Sequence, residues 1–121
     1  MSTLKVNTLQ TAAGVEVYTC KAWVNFNGTG TVAIRGSGNV TDITDNGTGD
    51  YTVNFTNAMT DANYCVVGTI GDVVPTYSLT AASSARSIVS RAKTTTTLRI
   101  LNNSGTGSAA DYDTQDVAVF R

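Results

Sequence analysis

From Asp50 to Thr56 the chain alternates without a break, with Tyr51, Val53 and Phe55 on one face and Thr52, Asn54 and Thr56 on the other. A period of two residues with one apolar face marks a strand laid against a core. The same period recurs at Lys21 to Phe26, where Trp23 falls opposite Val24 and Phe26, and at Thr31 to Arg35, where Val32 and Ile34 share a face. Asn39 to Thr44 alternates imperfectly, with Val40 and Asp42 out of phase with Ile43, which predicts a bulge or a sheet edge. Asn63 to Ile70 is apolar on both phases, as expected of a strand covered on two sides. Arg86 to Lys93 and Thr94 to Leu101 read as a hairpin, and Tyr112 to Phe120 closes the chain with Val117 and Val119 in phase.

Asn and Gly punctuate these runs. Asn27-Gly28 is a two-residue hairpin signal of the type I′ kind, Gly36-Ser37-Gly38 is a break, and Asp45 to Gly49 is a turn. Asn57 to Ala62 reads as a connection, Pro75 as a strand start or edge, Ala81 to Ala85 as a loop or a single helical turn, and Asn102 to Ser108 as a loop. No segment has helical length and period. Short strands separated by turns predict an all-β, antiparallel β-sandwich, jelly-roll-like. At the N-terminus Leu4 and Val6 alternate, the phase slips at Leu9, and Thr11 to Gly14 interrupts it. The expected organisation is therefore an arm or first strand over residues 1–14, followed by one sandwich domain over residues 15–121.

Composition sharpens this picture. A chain of 121 residues suffices for one core. Charged residues make up 14%, well below the usual quarter, and the commonest residue is Thr, whose branched Cβ suits a pleated sheet. The net charge of −1 supplies no field to attract nucleic acid. No apolar run approaches the roughly 20 residues of a membrane-spanning helix, and the first residues lack the apolar stretch of a secretory signal. Nucleic-acid binding, membrane insertion and export by that route are not expected.

Candidate chemistry is sparse. The chain has no His, which removes Ser-His-Asp and Cys-His nucleophilic sites and leaves only rarer arrangements such as Ser-Lys. No Gly-rich loop ends in the Lys-Ser/Thr of a phosphate cradle. We expect no enzyme activity, no cofactor and no resident metal. The spacing Asp42, Asp45, Asn46, Asp50 invites a calcium site, but it departs from the helix-flanked loop and lacks the bidentate Glu. Asp and Asn are also the residues that turns select, which is the stronger reading. Cys20 and Cys65 allow one disulfide; their apolar surroundings favour buried free thiols. Five Asn-x-Ser/Thr matches, beginning with Asn27-Gly28-Thr29, are expected to go unused. Arg86, Arg91, Lys93 and Arg99 read as a solubilising face. Tyr77 and Tyr112 lie beside loop-rich segments and are the candidate aromatics for stacking on a sugar.

Two stretches carry a resemblance. Ala22-Trp23-Val24-Asn25-Phe26-Asn27-Gly28-Thr29-Gly30-Thr31-Val32-Ala33-Ile34-Arg35, and later Ile43-Thr44-Asp45-Asn46-Gly47-Thr48-Gly49-Asp50-Tyr51-Thr52-Val53-Asn54-Phe55-Thr56, followed by Asp61-Ala62-Asn63-Tyr64, resemble a domain of bacteriophage tail-fibre and related virion-surface proteins. The likeness covers about Lys21 to Val67; Thr3 to Gln10 and Asp116 to Phe120 are similar to flanking segments of such proteins. This resemblance implies a β-sandwich that assembles as a homotrimer on a virus particle, built in the host cytoplasm, beside other virion proteins and in contact with a host-surface glycan. It implies a fibre-type module for host adhesion, with capsid decoration or a short head fibre as the alternative. Leu4, Val6 and Leu9 are the candidate trimer or attachment contacts, since so short an arm cannot bury them alone.

Overall fold

The computed structural model describes residues 3, 5–71, 86–104 and 107–121. Eight strands among them form two antiparallel sheets: β1 Cys20–Asn27, β2 Ala33–Gly38, β3 Val40–Gly47, β4 Asp50–Phe55, β5 Cys65–Gly71, β6 Ser87–Lys93, β7 Thr97–Asn103 and β8 Thr114–Phe120. One sheet has the order β2-β1-β8-β5 and the other β3-β4-β7-β6. The architecture is an antiparallel β-sandwich. First and last strands lie side by side at its centre, while the hairpins β1–β2, β3–β4 and β6–β7 each stay within one sheet.

The core follows directly from the alternation. Ala22, Val24 and Phe26 of β1 with Val117 and Val119 of β8 face Tyr51, Val53 and Phe55 of β4 and Leu98 and Ile100 of β7. Phe26 meets Tyr51 edge-on with ring centroids 5.3 Å apart, and Phe55 meets Tyr64 edge-on at 5.8 Å. Such pairs add about 0.5–1.5 kcal/mol each beyond their area. Met59 and Tyr64 close one end, the single proton of the Tyr64 hydroxyl lying within reach of the carbonyl oxygens of Thr94 and Thr97, both at 3.0 Å.

Several local expectations are met and several are revised. The irregularity of β3 is a register shift against β4 between Val40 and Asp42. The hairpin of β6 and β7 turns at Thr94, whose hydroxyl accepts the N–H of Thr97 at 2.9 Å. Asn27-Gly28 does not make a type I′ turn: positive φ falls on Gly30, at 62°, and the Asn27 side chain instead accepts the N–H of Thr29 at 2.9 Å. The Asn27 side chain thus organises a longer loop. β5 is not covered on both sides. It is an edge strand whose Cys65 and Val67 are exposed, because its outward face belongs to the open side of the first sheet. Residues 5–19 form no strand. They carry a single bridge between Gln10 and Glu16, and all are exposed.

Candidate functional site

The open face of the β2-β1-β8-β5 sheet is ordered in rows by strand register. Trp23 of β1 stands beside Ala118 of β8, which stands beside Val67 of β5. The next outward row along the strands is Asn25, Asp116 and Thr69. In the other direction Cys20, Phe120 and Cys65 are in register. Trp23 is 47% exposed, Val67 50% and Phe120 38%. With Ala118 as the small central residue, Trp23 and Val67 form the banks of a groove of about 350 Å³, with Asn25, Thr69 and Asp116 lining its polar side.

Trp23 is held in place by what its neighbours lack. Gly38 is its register partner on β2, and a Cβ there would run into the indole ring, while a Cβ at Gly36 would press against it at 3.3 Å. Glycine in a strand is explained here by close approach of a side chain. The polar row is likewise fixed. Asp116 accepts from Asn25 Nδ2 at 2.5 Å on one oxygen and from the Thr69 hydroxyl at 3.1 Å on the other.

A second polar cluster runs from the interior of the sandwich to its surface, at the end carrying the Gly28 and Gly49 loops, with Tyr51, Asn102 and Gln115 buried and Asp111 exposed. The Tyr51 hydroxyl lies 2.5 Å from Asp111 Oδ1 and 2.8 Å from the Gly28 carbonyl oxygen. Asp111 also accepts the Gly49 N–H at 2.7 Å. Fully buried Asn102 donates to Gln115 Oε1 at 2.6 Å, and Gln115 donates to the Tyr112 carbonyl oxygen at 3.3 Å. Burial first, and the bond to Asp111 second, push the Tyr51 hydroxyl far above the ordinary tyrosine range. The cluster ties loops together, although the buried Asn102 Oδ1 has no hydrogen-bond partner within it.

Several surface charges are also paired locally. Arg99 grips Asp50 with two bonds of 2.6 and 2.9 Å, and this contact lowers the Asp50 carboxyl below its usual range. Arg121 does the same for Asp61, which with a bond from the Asn63 N–H lowers that carboxyl to about 2. Arg86 lies over the Tyr112 ring, and Lys93 donates to the Tyr64 carbonyl oxygen at 3.0 Å. In the Asp42 to Asp50 segment, Asp42 accepts from Asn54, Asp45 from the Gly47 N–H, and Asp50 from Arg99. These are turn and cross-strand roles. Among the described residues no group of three or more His, Cys, Asp or Glu side chains stands together.

The residues singled out from the sequence are scattered. Tyr112 is 5% exposed and cannot offer its ring to a ligand; it lies just before β8, where alternation no longer assigns a face. Tyr77 and Leu4 lie outside the described residues, while Val6 and Leu9 are 55% and 44% exposed. Cys20 and Cys65 are free, as favoured, but exposed instead of buried. They pair with opposite sides of β8, so their Cα atoms are two strand spacings apart, roughly 10 Å, beyond the ~7 Å reach of a disulfide. The aromatic that sequence reasoning passed over is Trp23. Its signal was its phase: a large aromatic on the face opposite Val24 and Phe26.

Comparison with protein-family models, with curated proteins and with solved structures finds no match to this chain.

Proposed function

We propose that this chain is a non-enzymatic structural module of a bacteriophage virion surface, of the fibre type, contributing to adhesion to the host. The observation that carries the proposal is the open face of the first sheet. A rigid sandwich presents Trp23, Val67 and Phe120 together outward, and contiguous apolar surface of that kind marks a contact site. The sequence resemblance over Lys21 to Val67 supplies the setting, and homotrimeric assembly through residues Leu4, Val6 and Leu9 belongs to the same reading.

A second reading, capsid decoration or a short head fibre, draws on a separate feature. The exposed segment before β1 carries Val6, Leu9, Val15, Val17 and Tyr18, the last 81% exposed. An apolar arm of this sort suits attachment to a lattice of other virion proteins. Gold-labelled antibody on intact phage particles tests both. Label at the fibre tips supports adhesion, and label over the head supports decoration. Particles that carry none of the protein would rule out both.

A further inference from the structure

We infer that the groove over Ala118 is a binding subsite for a neutral pyranose, with Trp23 as the stacking surface and Asn25, Asp116 and Thr69 as the hydroxyl-binding row. The inference deepens the adhesive reading and rests on it only for the source of the sugar. A pyranose presents a face of C–H groups and a rim of hydroxyls. Its recognition therefore requires an exposed aromatic plate next to fixed hydrogen-bonding groups, in a shallow concavity.

The open sheet face supplies each part. The indole is held over Gly36 and Gly38, so stacking on it costs little side-chain entropy. Ala118 leaves the floor low between Trp23 and Val67. The polar row is two residues further along each strand, about 7 Å away, within the span of one sugar ring and its hydroxyls. Asp116 is oriented by Asn25 and Thr69, one bond to each oxygen. A carboxylate has about four acceptor sites, so it retains capacity for sugar O–H donors. The groove volume of about 350 Å³ lies within the range of small-ligand sites.

Charge decides the class of sugar. Asp116 is the one charged side chain among the described residues lining the groove, so a uronic or sialic carboxylate would meet a like charge. It also disfavours a second copy of this chain as occupant, since a tight self-contact would strip water from that carboxylate. A neutral sugar keeps its hydroxyls on the acceptor.

Trp23 is the only tryptophan, so its emission reports on this groove alone. The experiment screens the intact protein on an array of neutral oligosaccharides from bacterial surface polysaccharides. The hits, and methyl glucoside, galactoside and mannoside, are then titrated against tryptophan emission. The expected result is a saturable blue shift with protection from acrylamide quenching. Ala118→Leu fills the groove from the solvent side and should abolish the shift while melting like the parent. Trp23→Ala should weaken binding about tenfold by calorimetry, and Asp116→Asn should weaken it as well.

No array hit and no emission change overturns the inference, as does binding that survives Ala118→Leu. A fall in native mass in Ala118→Leu without any sugar response also overturns it and makes the face a self-contact. Sugar binding with no label on particles would sink the virion reading alone; label on particles with no sugar binding would sink this inference alone.

Discussion

The hydroxyl of Tyr51 has one proton and two acceptors within reach, Asp111 Oδ1 at 2.5 Å and the Gly28 carbonyl oxygen at 2.8 Å. The shorter contact is to the charged group, the stronger kind of bond. Tyr51→Phe keeps the ring against Phe26 but leaves the Asp111 carboxylate with one fewer donor, and a loss of about 1–3 kcal/mol in urea unfolding is expected. The same residue sets behaviour at high pH. Burial raises the hydroxyl pKa of both Tyr51 and Tyr64 in the folded protein, whereas an unfolded tyrosine ionises near 10. The stability this provides is complete below about pH 10 and is lost as pH rises beyond it. Unfolding midpoints between pH 7 and 11.5 should fall at the alkaline end, and less steeply in Tyr51→Phe. Cys20 and Cys65 give a simpler readout: both are exposed and too far apart to bridge, so a maleimide should label the native protein twice without prior reduction. A single label, or none, would contradict the register of β1, β8 and β5. At this scale the sequence misled where a side chain has two characters. Tyr112 looked like a surface aromatic because its neighbours are polar, yet its ring is buried beneath Arg86. Trp23, by contrast, stands where its phase puts it, on the open face opposite Val24 and Phe26.

Asn39 joins β2 to β3, where the chain passes from one sheet to the other. Its φ of 56° is the only positive value on a non-glycine residue among those described, and asparagine tolerates it better than most. Its side chain also laces neighbouring segments, donating to the carbonyl oxygens of Lys21 at 3.0 Å and Asn57 at 3.1 Å and accepting the Asn57 N–H at 2.7 Å. Asn39→Gly keeps the backbone and removes the lacing, while Asn39→Ala loses both. The expected costs are about 1–2 kcal/mol for glycine and about 1 kcal/mol more for alanine. Equal costs, measured by chemical unfolding, would mean the backbone conformation contributes nothing. Strand-level reading succeeded where one face meets a core and the other meets water, as in β4, whose six residues alternate between buried and half-buried. It failed at β5, because apolar side chains on both phases have two explanations. One is burial on both sides, and the other is an edge strand whose outer face has a separate use. The loop after Asn27 was misread for a similar reason. A dipeptide fixes a tight turn only if the strands resume at once, and β2 begins at Ala33.

At the scale of the molecule, among the described residues, the sandwich and the segment before it are held by separate sets of bonds. Hydrogen bonds in that segment close on one another: Thr11 N–H to the Val15 carbonyl oxygen at 2.8 Å, and Val17 N–H to the Leu9 carbonyl oxygen at 2.7 Å. Among the described residues the first buried side chain is Ala22, inside β1. Deleting residues 1–18 should therefore leave the β-sheet circular dichroism and the urea dependence of the isolated sandwich unchanged within about 0.5 kcal/mol. Assembly is where the loss should appear. Val6, Leu9, Val15, Val17 and Tyr18 expose apolar surface that gains nothing in a monomer, and burying it between copies stabilises by roughly 25 cal/mol per Å². If copies associate through this arm, the full chain melts at a temperature that rises with protein concentration, since an assembly formed only by folded chains is favoured by mass action. The truncated protein should melt at one temperature regardless of concentration and run as a monomer in native mass measurement. An unaltered mass after truncation would move the association to another surface, and a lowered urea midpoint at high dilution would show that the arm contributes to the sandwich itself.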